Sequence, residues 1–174
     1  MVNNSNFLIT IFVIIGVATR IIPHPPNLTA LGAVALFGGA LYFDKKVSLI
    51  IPIIILAISD FILGFQMNIS VYFSFLLIVF LGFNLRRKLS FKNIISYSIS
   101  SGLIFYAVTN FFVFLGSTYY SQDVYGLLLC YTLALPFLAN TILGNLLYSL
   151  ALFYSFKYVH KKINVSSQWL VFWF

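Results

Sequence analysis

The chain has 174 residues, of which 61% are hydrophobic and 7% are charged, whereas about 25% of the residues in a soluble domain are charged. This composition excludes a water-soluble globule and indicates an integral membrane protein, which we expect to form a single domain over residues 1–174. The net charge of +7 does not predict a nucleic-acid partner, because the basic residues are collected in turns between apolar segments.

Six segments are apolar enough to be spanning helices, because backbone groups inside hydrocarbon must be satisfied within their own segment. We therefore predict an all-α integral membrane protein with a bundle of six transmembrane helices in the lipid bilayer. The polar stretch that begins at Ser117 leads into an apolar run that ends at Ala134 and is too short to span, which predicts an outer half-helix before the sixth span. The predicted spans are residues 7–22, 28–43, 47–65, 69–85, 94–116 and 135–158.

The basic residues predict the orientation of the chain. They lie in alternate turns, and short cytoplasmic loops collect Lys and Arg. We therefore predict a multi-pass protein of the inner (cytoplasmic) membrane with both termini in the cytoplasm and with Arg20 alone among the Lys and Arg residues on the outer side. The inner group contains Lys45, Lys46, Arg86, Arg87, Lys88, Lys92, Lys157, Lys161 and Lys162.

Polar side chains from separate spans then lie at one depth in the outer half of the membrane. A charge or amide that faces lipid costs about 2.5–3.5 kcal/mol on insertion scales, so these side chains are expected to face each other. Arg20 and Asp60 form a candidate ion pair, either in a ligand site or as a structural link. The predicted ligand-binding residues are Arg20, His24, Asn27, Asp60, Asn110 and Asn140.

Helical spacing supports a polar interior for the last two spans. Residues four positions apart lie on one face of a helix. In the sixth span this spacing aligns Asn140, Gly144 and Tyr148 on one ridge and Thr141, Asn145 and Ser149 on the next. In the fifth span it aligns Gly102, Tyr106 and Asn110. The alternative interpretation is that such groups only form interhelical hydrogen bonds, worth about 0.6 kcal/mol each.

The second span contains a stripe of small residues, Gly32, Ala35 and Gly39, which predicts a close helix contact. The prolines in residues 23–26 predict a stiff extended turn before it, with Asn27 as the cap of a helix that begins near Leu28. Such a turn can hold donors over a cavity without an ordering cost on binding.

Three motifs carry a resemblance to a known group of sequences. They are R-x-x-P-H-P-P-N-x-T-x-x-G-A-x-A-L-F-G-G-A at residues 20–40, S-D-x-x-L-G at residues 59–64, and G-L-L-L-C-Y-x-x-A-L-P-F-L-x-N at residues 126–140. The chain resembles an uncharacterised family of small bacterial membrane proteins on these motifs. On general pattern, it is also similar to the substrate-binding subunits of energy-coupling-factor vitamin transporters.

The second resemblance implies a six-helix protein that captures a vitamin-like solute near the outer face and delivers it inward with an energising module. It implies that the six predicted residues line the ligand site. One departure is that Gly16, Ala18 and Thr19 lack the A-x-x-x-A stripe with which such subunits often meet their module. A solitary transporter, or a role with other membrane subunits, therefore stays open.

An uptake or binding protein for a small polar or anionic organic solute is the function that these observations favour. The alternative is a structural or accessory membrane protein whose polar residues only fasten the helices. An enzyme is disfavoured, because the chain has no Glu, three Asp and no hydrolase motif, although a pair of His24 and Asp60 would suit acid–base chemistry.

We predict no metal site and no cofactor. Cys130, the only cysteine, excludes an intramolecular disulfide and is typical of a packed small hydrophobe. The aromatic segment at residues 168–174 is expected to anchor the C-terminus at the inner membrane interface or to dock a partner.

Overall fold

The structure is a computed structural model that describes the backbone of residues 2–42 and 44–163 and the side chains of residues 11–42 and 44–158. The predicted C-terminal anchor lies outside the described residues. Every regular element in the described part is helical, and a 3-10 turn at Arg86–Lys88 follows α4. The helices are α1 (Val2–Ile21), α2 (Leu31–Leu41), α3 (Lys45–Leu63), α4 (Ile69–Leu85), α5 (Phe91–Gly116), α6 (Val124–Leu133) and α7 (Leu135–Ile163).

Four of the described helical segments are long and apolar enough to cross a membrane: Lys45–Leu63, Ile69–Lys88, Phe91–Gly116 and Leu135–Tyr158. The apolar segments Ile11–Ile21, Leu31–Leu41 and Val124–Leu133 are shorter. The all-α class is therefore confirmed for the described residues, with four helices apolar enough to cross a membrane, whereas the count of six spanning helices is not confirmed. The short α6 agrees with the predicted half-helix before the last span.

Helix α2 is shorter than the predicted span at residues 28–43. Its 11 residues give a length of about 16 Å, roughly half the thickness of the hydrocarbon core. The preceding residues form turns instead of helix, because the proline-rich loop continues as far as Ala30.

Asn27 does not cap α2, which corrects the prediction of a helix that begins near Leu28. The N-cap is Ala30, and no side chain makes a capping hydrogen bond there. Asn27 instead has a φ of 66° in a tight turn where the Leu28 amide donates to the Pro25 carbonyl at 3.0 Å. A proline at the second position and a positive φ at the third are typical of a type II turn, in which asparagine is tolerated.

Helix α2 lies at the centre of the bundle, and all residues from Leu31 to Ala40 are buried. It packs against α1, α3, α4, α5 and α7. The predicted close contact of its small-residue stripe is confirmed: a Cβ on Gly39 would overlap the Val79 carbonyl oxygen of α4, and a Cβ on Gly82 would overlap the Leu36 carbonyl. Helices α2 and α4 thus meet backbone to backbone, which only glycine allows.

The two ends of the bundle differ in chemistry. We call one the basic end, where Arg86 Nε donates to the Ala40 carbonyl at the end of α2 at 3.1 Å and Lys45 Nζ lies 5.7 Å from the centre of the Phe83 ring. We call the opposite end the Arg20 end; there α1 and α3 finish and α2, α4 and α7 begin. The candidate site lies at the Arg20 end.

Side-chain caps define where several helices start. Asp44 accepts from the amides of Lys46 and Val47 at the start of α3, and Asn68 accepts from Ser70 at the start of α4. Asp123 accepts from the Gly126 amide at the start of α6. This bond and one from the Ser121 hydroxyl lower the pKa of the Asp123 carboxyl below its usual value, so the cap is charged at neutral pH.

Candidate functional site

An ion pair links the ends of α1 and α3. Arg20 Nη2 lies 2.8 Å from Asp60 Oδ1, and Arg20 Nη1 donates to the Ser59 hydroxyl. The Tyr72 hydroxyl, in the first turn of α4, donates to the other carboxylate oxygen of Asp60 at 3.0 Å. Arg20 of α1 and Tyr72 of α4 thus both hold the Asp60 carboxylate. Asp60 and Ser59 together fix the guanidinium in one orientation.

The loop that follows α1 is fastened at its last residue and in its middle. The Thr19 hydroxyl accepts from the Ala30 amide at 3.1 Å and donates to the Gly16 carbonyl at 3.1 Å. At the other side, Asn140 Nδ2 of α7 donates to the Pro26 carbonyl at 3.1 Å. Together with the type II turn, these bonds hold the loop across the Arg20 end of the bundle.

His24 is held by the same loop. Its Nδ1 lies 2.7 Å from the Pro25 carbonyl oxygen, and because a carbonyl can only accept, Nδ1 carries the proton. The loop therefore fixes the position of the imidazole as well as that of the backbone.

A cavity of about 360 Å³ lies beneath this loop, within the size range of small-molecule sites. One part of its wall is polar and the rest is apolar. The polar lining side chains are Arg20, His24, Asn27, Thr29, Thr141 and Asn145.

The N-terminus of α2 also meets the cavity, because Leu31 and Gly32 line it. The first amides of a helix have no partner within the helix, and no side chain caps α2. These amides and the positive end of the helix dipole favour negative charge close by. The guanidinium of Arg20 and the start of α2 therefore give the polar wall a positive character.

Asn145 forms the deep polar part of the lining. It is 3% exposed, and its Nδ2 donates to the Ser101 hydroxyl of α5 at 2.9 Å. Gly32 of α2 lies directly against its amide, so that a Cβ at this position would overlap Asn145 Oδ1. The side-chain amide is therefore fixed between three helices while it borders the cavity.

The structure brings together five of the six predicted site residues. Arg20, His24 and Asn27 line the cavity, Asp60 holds Arg20, and Asn140 ties down the loop.

Asn110 is placed elsewhere. Its Nδ2 donates to the Tyr106 carbonyl of its own helix at 2.8 Å, and its backbone carbonyl accepts from Cys130 Sγ at 3.6 Å. It thus belongs to the contact between α5 and α6 and is not among the residues that line the cavity.

Thr141 and Asn145 line the cavity although they were not among the predicted site residues. They are on the ridge of α7 next to that of Asn140, and only the rotation of α7 in the bundle decides which ridge faces inward. The sequence contained a signal for this ridge, since three polar residues at a spacing of four, Thr141, Asn145 and Ser149, mark an interior face. Ser149 is indeed buried.

The described residues contain no group of three or more His, Cys, Asp or Glu side chains that could hold a metal ion. The donors that border the cavity are a guanidinium, amides, hydroxyls and an imidazole, a set that suits an anion or a polar organic group better than a cation.

A family model described as a family of unknown function, DUF6580, matches residues 1–168. The chain belongs to the DUF6580 family. No curated protein and no solved structure matches it. The prediction of membership in an uncharacterised family is confirmed.

Proposed function

We propose that this DUF6580 protein is a membrane uptake or binding protein that captures a small anionic or polar organic solute in the cavity at the Arg20 end. The observation that carries the proposal is a preformed cavity whose wall contains a fixed guanidinium. Arg20 lines the cavity, whereas the Asp60 carboxylate that orients it is not among the lining groups. The cation thus faces the solute and its counter-charge lies behind it.

Arg20 has donors to spare for a solute. A guanidinium has five N–H donors, and the bonds to Ser59 and Asp60 use two of them. Because those bonds already fix the side chain, binding would not carry the usual cost of ordering an arginine. The uncapped amides of α2 supplement the charge, and Thr141 and Asn145 offer polar groups to the rest of the solute.

We further propose that this cavity opens on the outer side of the cytoplasmic membrane. The proposal rests on the rule that basic residues collect in cytoplasmic turns, since Lys45, Lys46 and the Arg86–Lys88 turn are all at the basic end. Delivery of the solute to the cytoplasm would then require an energising module or another membrane subunit, as in the transporters that the sequence resembles.

A structural or accessory role is the second candidate. It is favoured by two interactions between separate helices, the ion pair of Arg20 with Asp60 and the hydrogen bond from Asn145 to Ser101. In that case the same residues would hold the bundle together, and the cavity would contain only water.

Native mass spectrometry of the protein extracted with its lipids separates the two candidates. We expect a bound solute of low mass on the wild type that is absent from Arg20→Gln, whereas Arg87→Gln, an exposed arginine at the basic end, keeps it. No adduct on the wild type, together with a loss of stability in Arg20→Gln, would overturn the binding proposal and support the structural role.

A further inference from the structure

We propose that the solute is a compact monoanion with a flat apolar body, such as a small aromatic monocarboxylate. This inference rests on the proposed function and names the class of solute that its cavity fits. It follows from the chemistry of the apolar wall, the number of charges on the polar wall and the volume between them.

The apolar wall is aromatic where a solute can reach it. Phe75, which is 7% exposed, and the partly exposed Phe105 border the cavity with surface that a solute can reach. Leu56 and Ile78 also border it, but they are fully buried and therefore support the wall without direct contact to a solute. The rings of Phe75 and Phe105 are 5.2 Å apart at their centres and inclined by 42°. Such a pair of rings favours a flat apolar partner in offset or edge contact, whereas a sugar or a hydrated polyanion would leave its hydroxyls or charges against this wall without partners.

The charges on the polar wall match a single negative group. Among the residues that line the cavity, Arg20 is the one Lys or Arg side chain, and the described clusters of other basic residues lie at the basic end. Asp60 lies directly behind Arg20 and would repel a second negative charge. A dicarboxylate or a phosphate dianion would therefore bring a charge that the site does not balance.

The volume limits the length of the solute. The 360 Å³ of the cavity are near the lower end of the range of small-molecule sites, about 300–1,000 Å³. A ring with a carboxylate fits this space, whereas a long acyl chain has to leave it. The size of the cavity therefore favours a small free acid over a fatty acid, although both would present a carboxylate to Arg20.

The test uses the full-length protein in detergent or nanodiscs and measures the affinity of five probes by calorimetry: benzoate, succinate, inorganic phosphate, octanoate and palmitate. We expect benzoate to bind at least 10-fold more tightly than succinate or phosphate, and palmitate to bind no more tightly than octanoate. We expect Arg20→Gln to weaken benzoate binding at least 10-fold.

A pair of variants on α5 tests the aromatic wall. Phe105→Leu removes a ring from the cavity and is expected to weaken benzoate binding about 3- to 10-fold. Phe111→Leu, a change at a 45% exposed phenylalanine that is not among the lining residues, is expected to leave the affinity within about 2-fold.

The outcomes distinguish the solute class from the proposed function. Arg20-dependent binding of succinate or phosphate in preference to benzoate overturns the monoanion while a binding function stands. Affinity that rises steadily from octanoate to palmitate overturns the compact body and indicates a lipid or fatty acid. Failure of all five probes overturns the inference, and the binding function then also fails if native mass spectrometry finds no adduct on the wild type.

Discussion

Arg20 and Asp60 form an ion pair of 2.8 Å between the last turns of α1 and α3. The two side chains keep only 16% and 11% of their accessible surface, and Tyr72 adds a third helix through its bond to Asp60. The pair is therefore both a link between helices and the support of the cation that borders the cavity.

Asp60→Asn is expected to lower the free energy of unfolding by about 2–3 kcal/mol, because Arg20 would remain largely buried without its counter-charge. Tyr72→Phe, which removes one bond to the carboxylate but keeps the ring, is expected to cost about 1 kcal/mol. Thermal or denaturant unfolding in detergent measures both. The double variant Arg20→Gln/Asp60→Asn is expected to lose less stability than Arg20→Gln and Asp60→Asn lose together as single variants. A loss equal to that sum would show that Arg20 and Asp60 are not coupled.

Two adjacent glycines of α2 should respond in opposite ways to the same substitution. Gly39→Ala would place a methyl group against the backbone of α4 at Val79 and Gly82, which cannot move aside, so we expect a loss of about 3 kcal/mol or more, or failure to fold. Gly38→Ala would make only ordinary contacts, with the Tyr42 ring at 3.6 Å and the Ser48 carbonyl oxygen at 4.0 Å.

For Gly38→Ala we therefore expect unchanged stability or a gain of up to about 1 kcal/mol from helix propensity. Folded yield and the melting temperature in detergent measure both variants. Equal behaviour of the two would show that α2 and α4 do not meet through Gly39.

The helical class, the Arg20–Asp60 pair and the close-packing face of α2 were predictable from the sequence. Apolar length defines a membrane helix, and the alternation of basic turns brings Arg20 and Asp60 to one end of the bundle. The apolar length of a segment and the alternation of basic turns are both averages over many residues. An error of a few positions in the bounds of a helix therefore does not change the prediction.

Single-residue features were less predictable. Asn110 of α5 and Thr141 of α7 are both polar residues at the correct end of their helices. Successive residues of a helix point about 100° apart, so the rotation of each helix in the bundle decides which of its side chains reach the cavity. The start of α2 depended on the conformation of the Pro25–Leu28 turn, where Asn27 takes a positive φ instead of a cap position. Tertiary packing decides both features, and local sequence does not contain it.

Two asparagines test the position of the site. Asn140→Ala would release Pro26 and loosen the loop over the cavity, and we expect about 3- to 10-fold weaker benzoate binding with little change in stability. Asn110→Ala removes a side-chain bond within α5 and leaves the bond from Cys130 to the backbone carbonyl at this position, so we expect benzoate affinity within about 2-fold of the wild type. A larger loss in Asn110→Ala than in Asn140→Ala would refute the placement of the site under the loop.

The proposed orientation in the membrane predicts which cysteines an impermeant thiol reagent can reach in intact cells. In a Cys130→Ala background, Tyr119→Cys, at a position that is 92% exposed between α5 and α6, should be labelled from outside. Arg87→Cys, at the basic end, should react only after the membrane is permeabilised. The reverse pattern would place the cavity on the cytoplasmic side.

The positive character of the cavity is the central claim, and the rate at which charged thiol reagents modify a cysteine in its wall tests it most directly. Thr141 lines the cavity and is 7% exposed, so Thr141→Cys in the Cys130→Ala background places the only thiol there. We predict that an anionic methanethiosulfonate reacts at least 10-fold faster than a cationic one of similar size, and that Arg20→Gln removes this preference. Equal rates for the two reagents, or a preference that persists in Arg20→Gln, would contradict the assignment of Arg20 as the group that attracts the solute.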